Sequence, residues 1–195
     1  MSLIFRCLVP ANYRRIAWVI PLILSLNITS VNACSNDCSI DVTFTGVYQD
    51  ETCVVVVNNA SAHETVTLPQ TPLTQLTADG DEAGNKEFSI GLKECPVNRT
   101  IKLYFSGGAS AVDSSTGNLI NDPGSDRSEN VQIRIRKEDK SQAVIDNAAS
   151  TQSYLITDYD VQVDHTFTAS YYAKGNKAVT SGKVQTTAGI ELVYK

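Results

Sequence analysis

Gly182-Lys-Val-Gln-Thr-Thr-Ala-Gly-Ile-Glu-Leu-Val-Tyr-Lys195 closes the chain, and its alternation decides the fold. The even positions Val184, Thr186, Ala188, Ile190, Leu192 and Tyr194 form a mostly apolar row, while the odd positions are polar or small except Val193. A period of two predicts a strand with one buried face. This row runs to the penultimate residue with no polar tail behind it. Chain ends fray unless something holds them, so a terminal strand this apolar is expected to pair with something.

At 195 residues the chain has room for one domain or two small ones, and a hydrophobic content of 42% supplies a sizeable core. The N-terminus reads separately from that core. Arg6, Arg14 and Arg15 precede the apolar run Ile16–Leu26, and Val31-Asn32-Ala33 offers a small-residue cleavage point. That order predicts a secretory signal peptide over residues 1–33. The competing membrane anchor needs roughly 20 apolar residues, and the run is shorter. Removing residues 1–33 takes away three Arg and no acid, so the net charge goes from −5 to −8. An acidic exported chain argues against nucleic acid and anionic membrane surfaces as partners.

Cys34, Cys38, Cys53 and Cys95 remain after that cut. An oxidising compartment and an even number imply disulfides, with three pairings open. The economical one joins Cys53 to Cys95 and leaves Cys34 and Cys38 as a small local loop or a labile thiol pair. The spacing lacks the two close pairs that zinc sites favour, so no metal is expected.

Alternation recurs along the chain. Ile40, Val42 and Phe44 share one face ahead of Gly46, and Val47–Val57 ends in the continuous run Cys53–Val57, which suits a strand buried on both sides. Glu64–Leu68 reads as a short strand closed by Pro69, and Thr74–Asn85 as a loop. Phe88–Cys95, Ile101–Phe105, Val131–Arg136 and His165–Ala173 alternate clearly. Between them, residues 106–130 read as a long loop with a short edge strand near Leu119, and Tyr154–Ile156 and Val161–Val163 as short strands. Many short strands at regular spacing with no helical period predict an all-β sandwich of immunoglobulin type.

Catalytic chemistry finds no footing. The two histidines, His63 beside a turn and His165 at a strand start, are expected at the surface. No nucleophile elbow or metal-ligand pattern occurs, so neither enzyme activity nor a cofactor is expected. Asp79, Asp81 and Glu82, and again Asp122 and Asp126, read as loop acids whose spacing fits no calcium loop. Asn59-Ala-Ser61 and Asn98-Arg-Thr100 match the glycosylation acceptor, a pattern short enough to arise by chance.

Four stretches taken in order resemble the subunits of chaperone–usher pili, the type 1-like fimbrial family. They are Val42-Thr-Phe44-Thr-Gly46 followed by Cys53; Phe88-Ser-Ile90-Gly-Leu92 leading to Cys95; Phe167 to Gly175; and Ile190-Glu-Leu-Val-Tyr194-Lys195. The resemblance spans residues 40–195. It implies an incomplete immunoglobulin-like β-sandwich lacking its last strand, over residues 47–195, with a donor-strand extension over residues 34–46. Ile40, Val42 and Phe44 are then the donor side chains, and Ile190, Leu192 and Tyr194 belong to the acceptor edge. A periplasmic chaperone and then the extension of a neighbouring pilus subunit, delivered at an outer-membrane usher, supply the absent strand by strand addition. The expected product is an adhesive fibre at the cell surface, reached through the periplasm. A minor, adaptor or terminator subunit is the alternative within the family. A self-contained secreted β-sandwich binding module is the alternative outside it.

Overall fold

The computed structural model describes residues 52–195, and all statements below concern them. Nine strands form: β1 (Val54–Val57), β2 (Glu82–Lys93), β3 (Arg99–Ser106), β4 (Val112–Asp113), β5 (Asn118–Ile120), β6 (Val131–Arg136), β7 (Gln152–Ile156), β8 (Val163–Ala173) and β9 (Gly189–Tyr194). Apart from these there is a single 3-10 turn at Leu73–Gln75. The larger sheet runs β1-β2-β8-β6-β5-β4, the smaller β7-β3-β9, and every ladder is antiparallel.

Alternation builds the core. Phe88, Ile90 and Leu92 of β2, Ile133 and Ile135 of β6 and Phe167 and Ala169 of β8 point inward from the larger sheet. They meet Ile101, Leu103 and Phe105 of β3 and Tyr154 and Ile156 of β7. Phe167 joins the layers: its ring stacks on Phe88 at 5.7 Å and meets Phe105 edge-on at 5.2 Å. Tyr154 is fully buried, and its hydroxyl donates to the Ile90 carbonyl at 3.0 Å, so the phenol crosses the core with its polar tip satisfied. A smaller cluster of Leu76, Ala83, Val131, Ala173 and Val179 closes one end. The all-β sandwich expected from the alternation is the fold observed.

Several expected boundaries move, each for a physical reason. Glu64–Leu68 is extended but joins no ladder, although Val66 and Leu68 pack on the core. The chain leaves β1 through Asn58 and Asn59, both in the left-handed region, and that turn carries it off the sheet. Of Cys53–Val57, only Val56 and Val57 are buried, and Val54 lies on the exposed outer face. Val163 opens β8 and forms no separate strand, whereas Val161 is exposed. Of the terminal stretch, only Gly189–Tyr194 pairs as strand. The short strand at Leu119 is present as β5, with β4 outside it as the edge.

β2 begins at Glu82, inside the stretch read as a loop, because a bulge between Ala83 and Lys86 breaks its period. Gly84 makes that bulge at φ 67°, where a Cβ would lie 2.6 Å from Thr71 Oγ1 and 2.7 Å from the Tyr171 ring. Glu82 is therefore a strand residue and the centre of a polar row on the outer face. It accepts from Arg134 Nη1 at 2.8 Å, from Arg136 Nε at 3.0 Å and Nη2, and from Ser170 Oγ at 3.2 Å. The Arg134 guanidinium lies 3.9 Å over the Tyr172 ring and donates to Asn118 Oδ1 at 3.0 Å. Asn118 and Gln132, both buried, carry the row on to Asp113.

Burial alone would raise the Glu82 pKa, but the hydrogen bonds and charges of Arg136 and Arg134 outweigh it and hold it below the ordinary value. The Ser115 hydroxyl foremost, then the Gln132 amide, the Ser115 N–H and the Lys174 charge, hold Asp113 well below the carboxylate range against the opposing effect of burial. Both folded pKa values are depressed, so the stability they contribute is complete above the unfolded values, about 4, and is lost as pH falls through the folded ones. Stability measured by denaturant should be level from about pH 8 to 5 and decline below about pH 4. Glu82→Ala strands two arginines and should cost about 2–3 kcal/mol at neutral pH. The same variant should flatten part of the acid limb; an unchanged limb would contradict the assignment.

Cys53 and Cys95 are bonded, fastening the start of β1 to the end of β2 across 42 residues. Replacing both by Ser releases that loop in the unfolded chain and should lower stability by about 4 kcal/mol in the chain-entropy account. Urea unfolding of the strand-complemented subunit measures it, and an unmoved midpoint would contradict it.

Candidate functional site

Two extended segments leave the sheets on the same side of the sandwich, and a groove of about 680 Å³ lies between them. Ala62–Leu68 forms one wall and Val184–Ile190 the other, with Phe88, Ile90, Ile135 and Ala169 among the floor residues. The floor is core: a strand laid here would bury side chains against the same cluster that holds the sheets together. Beside it, next to Leu73, Leu76 and Val179, lies a second hollow of about 340 Å³ of mixed polar and apolar lining, with Tyr171 and Val184 lining both.

The backbone of the terminal wall follows a strict parity. Lys195 N–H donates to the Thr100 carbonyl at 3.2 Å, and the register pairs Val193 with Lys102, Glu191 with Tyr104 and Gly189 with Ser106. In an antiparallel ladder, successive residues turn their N–H and C=O to opposite edges. The odd residues of β9 therefore bond to β3, and Ile190, Leu192 and Tyr194 direct theirs to the other edge. β9 is the last strand of its sheet, so among the described residues no strand meets that edge. The side chains of the same three residues are half-buried against the core.

The parity continues upstream, where no strand partners the chain on either side. Lys183 N–H donates to the Asp126 carbonyl at 2.9 Å, and its own carbonyl accepts from Ser128 N–H at 3.0 Å. Gln185 N–H donates to Asn121 Oδ1 at 2.8 Å, and its carbonyl accepts from Asp122 N–H at 2.9 Å. Thr187 N–H donates to Ser110 Oγ at 2.7 Å. Val184, Thr186 and Ala188 line the groove and have no backbone partner among the described residues. The opposite wall is also open: Ala62–Thr71 makes no backbone–backbone hydrogen bond among the described residues. Thr186 adds a buried hydroxyl that finds no partner in the described structure.

Of the residues singled out in the sequence, the structure brings Cys53 and Cys95 together and sets Ile190, Leu192 and Tyr194 on one face of one edge. Tyr194 does more than line the edge. Its hydroxyl accepts the Cys53 N–H at 2.9 Å, so the penultimate residue is fastened to the point where β1 begins. Cys34, Cys38, Ile40, Val42 and Phe44 lie outside the described residues. His63 is exposed, but His165 departs from expectation. Its side chain is 22% exposed, edge-on to the Tyr154 ring, with Nδ1 2.5 Å from Glu138 Oε2 and 3.2 Å from Gln152 Nε2. It braces the seam between β7 and β8. Ser110, Asn121 and Ser128 gave no sequence signal, since Asn121-Asp122-Pro123-Gly124 reads as a turn and the contact from Asn121 to Gln185 spans 64 residues.

The sequence profile of the fimbrial protein family matches residues 42–195. The chain is 30% identical over 177 residues to the serotype 2 fimbrial subunit of Bordetella pertussis, covering 78% of this chain and 85% of that one. It is 30% identical over 158 residues to the major fimbrial subunit SMF-1 of Stenotrophomonas maltophilia, with 78% and 90% covered. Its identity to the minor fimbrial subunit HifD of Haemophilus influenzae is 34% over 164 residues, with 78% and 73% covered. In fold it is similar to the P pilus rod subunit PapA, with a TM-score of 0.58 at 20% identity, over 73% of this chain and 99% of that one. A similar likeness holds to a chaperone–usher pilus structure, with a TM-score of 0.57 at 22% identity over 80% and 96%. A family match over most of the chain, relatives at 30% identity and above, and a pilin-like sandwich agree: the chain belongs to the fimbrial protein family.

Proposed function

We propose that this chain is a structural subunit of a chaperone–usher fimbria, joined head-to-tail to its neighbours by strand addition in the groove. The observation that carries this reading is the edge from Val184 to Tyr194 that is free among the described residues, where groove- and core-facing side chains and unpaired backbone groups belong to the same residues. A buried backbone group without a partner costs as much as a lost hydrogen bond, and an apolar strand edge is a template for pairing. An incoming strand answers both: its backbone completes the ladder, and alternate side chains fill the groove.

The donor is the N-terminal extension, residues 34–46, of the next subunit, with Ile40, Val42 and Phe44 facing the floor. A periplasmic chaperone supplies the strand first, and the usher in the outer membrane is where the subunit's extension replaces it. Residues 1–33 direct export and are removed, and residues 47–195 form the body behind the extension. Because donor and acceptor are different segments of one chain, the contact is heterologous and does not close, which gives a fibre at the cell surface. The role requires no catalytic group and no cofactor.

Purification of residues 34–195 from periplasm, with and without the cognate chaperone, tests the proposal. We expect a soluble one-to-one complex with the chaperone, and aggregation or laddered polymers without it. Deleting residues 34–45 should leave chaperone binding intact and abolish the polymers. A stable monomer that ignores the chaperone, in both lengths of chain, would overturn the reading and favour a self-contained binding module.

A further inference from the structure

The upper half of the free edge, Lys183 to Ala188, keeps strand conformation without belonging to a sheet. Left to itself, a six-residue extended segment would lose that conformation to chain entropy. What holds it is the long connection between β3 and β6. Asn121 is the centre. Its side-chain amide accepts Gln185 N–H on Oδ1 at 2.8 Å and donates Nδ2 to the Lys183 carbonyl at 3.0 Å and the Ser128 carbonyl at 2.8 Å. One side chain thus offers an acceptor and a donor to the same edge, as a peptide unit of a neighbouring strand would. Ser110, buried, takes the next N–H along, that of Thr187, while its own proton goes to Asp122 Oδ1 at 2.6 Å. The Asp122 backbone then fills the remaining place by donating to the Gln185 carbonyl at 2.9 Å. Gly182 lets the segment approach this closely, since a Cβ there would collide with the backbone of Arg127 and Ser128.

We infer that Asn121 and Ser110 are positioning residues for strand capture: they act as a substitute strand that satisfies the outer edge of Lys183–Ala188 and so holds its inner edge ready for the incoming one. The inference rests on the strand-acceptor reading above. Every bond of this clamp falls on an odd residue, and the even residues lining the groove are left for the partner. Without the clamp, an incoming strand would have to order the receiving segment as well as itself, and the added ordering slows association. The lower half of the edge needs no such help, because β3 already orders Gly189–Tyr194.

The test uses the mature chain in its chaperone complex, challenged with excess synthetic peptide spanning residues 36–48. Uptake and release of the labelled peptide are timed separately for the unaltered chain, Asn121→Ala, Ser110→Ala and Ser110→Thr. The clamp predicts uptake slowed about tenfold by loss of a hydrogen bond in either Ala variant, with peptide release little changed and Ser110→Thr close to the unaltered rate. Should Asn121→Ala fail to accumulate, the single hydroxyl lost in Ser110→Ala still decides the matter. Equal uptake rates in all four chains would overturn the clamp while the acceptor reading stands. Faster release with unchanged uptake would also overturn it, as that is the signature of a merely stabilising contact. If the unaltered chain takes up no peptide, the acceptor reading itself fails, and the clamp with it.

Discussion

The row of backbone N–H and C=O groups along the inner edge of the terminal segment governs the rest of this structure. Strand geometry sends side chains to alternate faces and backbone polar groups to alternate edges, and here both alternations fall on the same residues. From Val184 to Tyr194, each even residue has its side chain at the groove or against the core and its peptide groups at the open edge. The odd residues donate their N–H groups outward, to β3 below and to the clamp above. Among the described residues the molecule is thus folded on one side of this segment and open on the other. Its apolar floor makes that opening costly in water.

The other features follow from supporting that edge. The disulfide holds β1 on β2, so the opposite wall starts from a fixed point, and Tyr194 fastens the same point to the chain's end. Phe167 and Tyr154 bind the two sheets beneath the groove, through the floor residues Phe88, Phe105 and Ile90. The Glu82–Arg134–Arg136 row stiffens the outer face of the larger sheet, where the core side chains alone would leave β6 and β8 covered on only one side. Among the described residues the sandwich thus has a packed body and an open apolar seam, which is what the proposed strand addition needs.

Much of this was legible in the sequence, because most of it is alternation. β3, β6 and β8 follow directly from it, and so does the placing of Ile190, Leu192 and Tyr194 on one face; β7 shows only as a short strand at Tyr154–Ile156, and Cys53–Cys95 is the economical one of three pairings. What escaped has physical causes. The bulge at Gly84 resets the period of β2, so a strand looked like a loop and Glu82 like a loop acid. Glu64–Leu68 alternates like a strand because its side chains meet the core, yet it pairs with nothing among the described residues; alternation reports burial and is silent on backbone partners. The contacts of Asn121 and Ser110 span 64 and 77 residues and leave no local pattern to read.

Amide hydrogen exchange on the freshly refolded subunit without residues 34–45, before and after addition of a donor-strand peptide, tests the central claim most directly. The account predicts a split by parity. The amides of Gln185, Thr187, Glu191, Val193 and Lys195 should be protected in both states, and those of Val184, Thr186, Ala188, Ile190, Leu192 and Tyr194 only after the peptide is added. Protection of the even amides beforehand, or a gain spread over both sets alike, would contradict it.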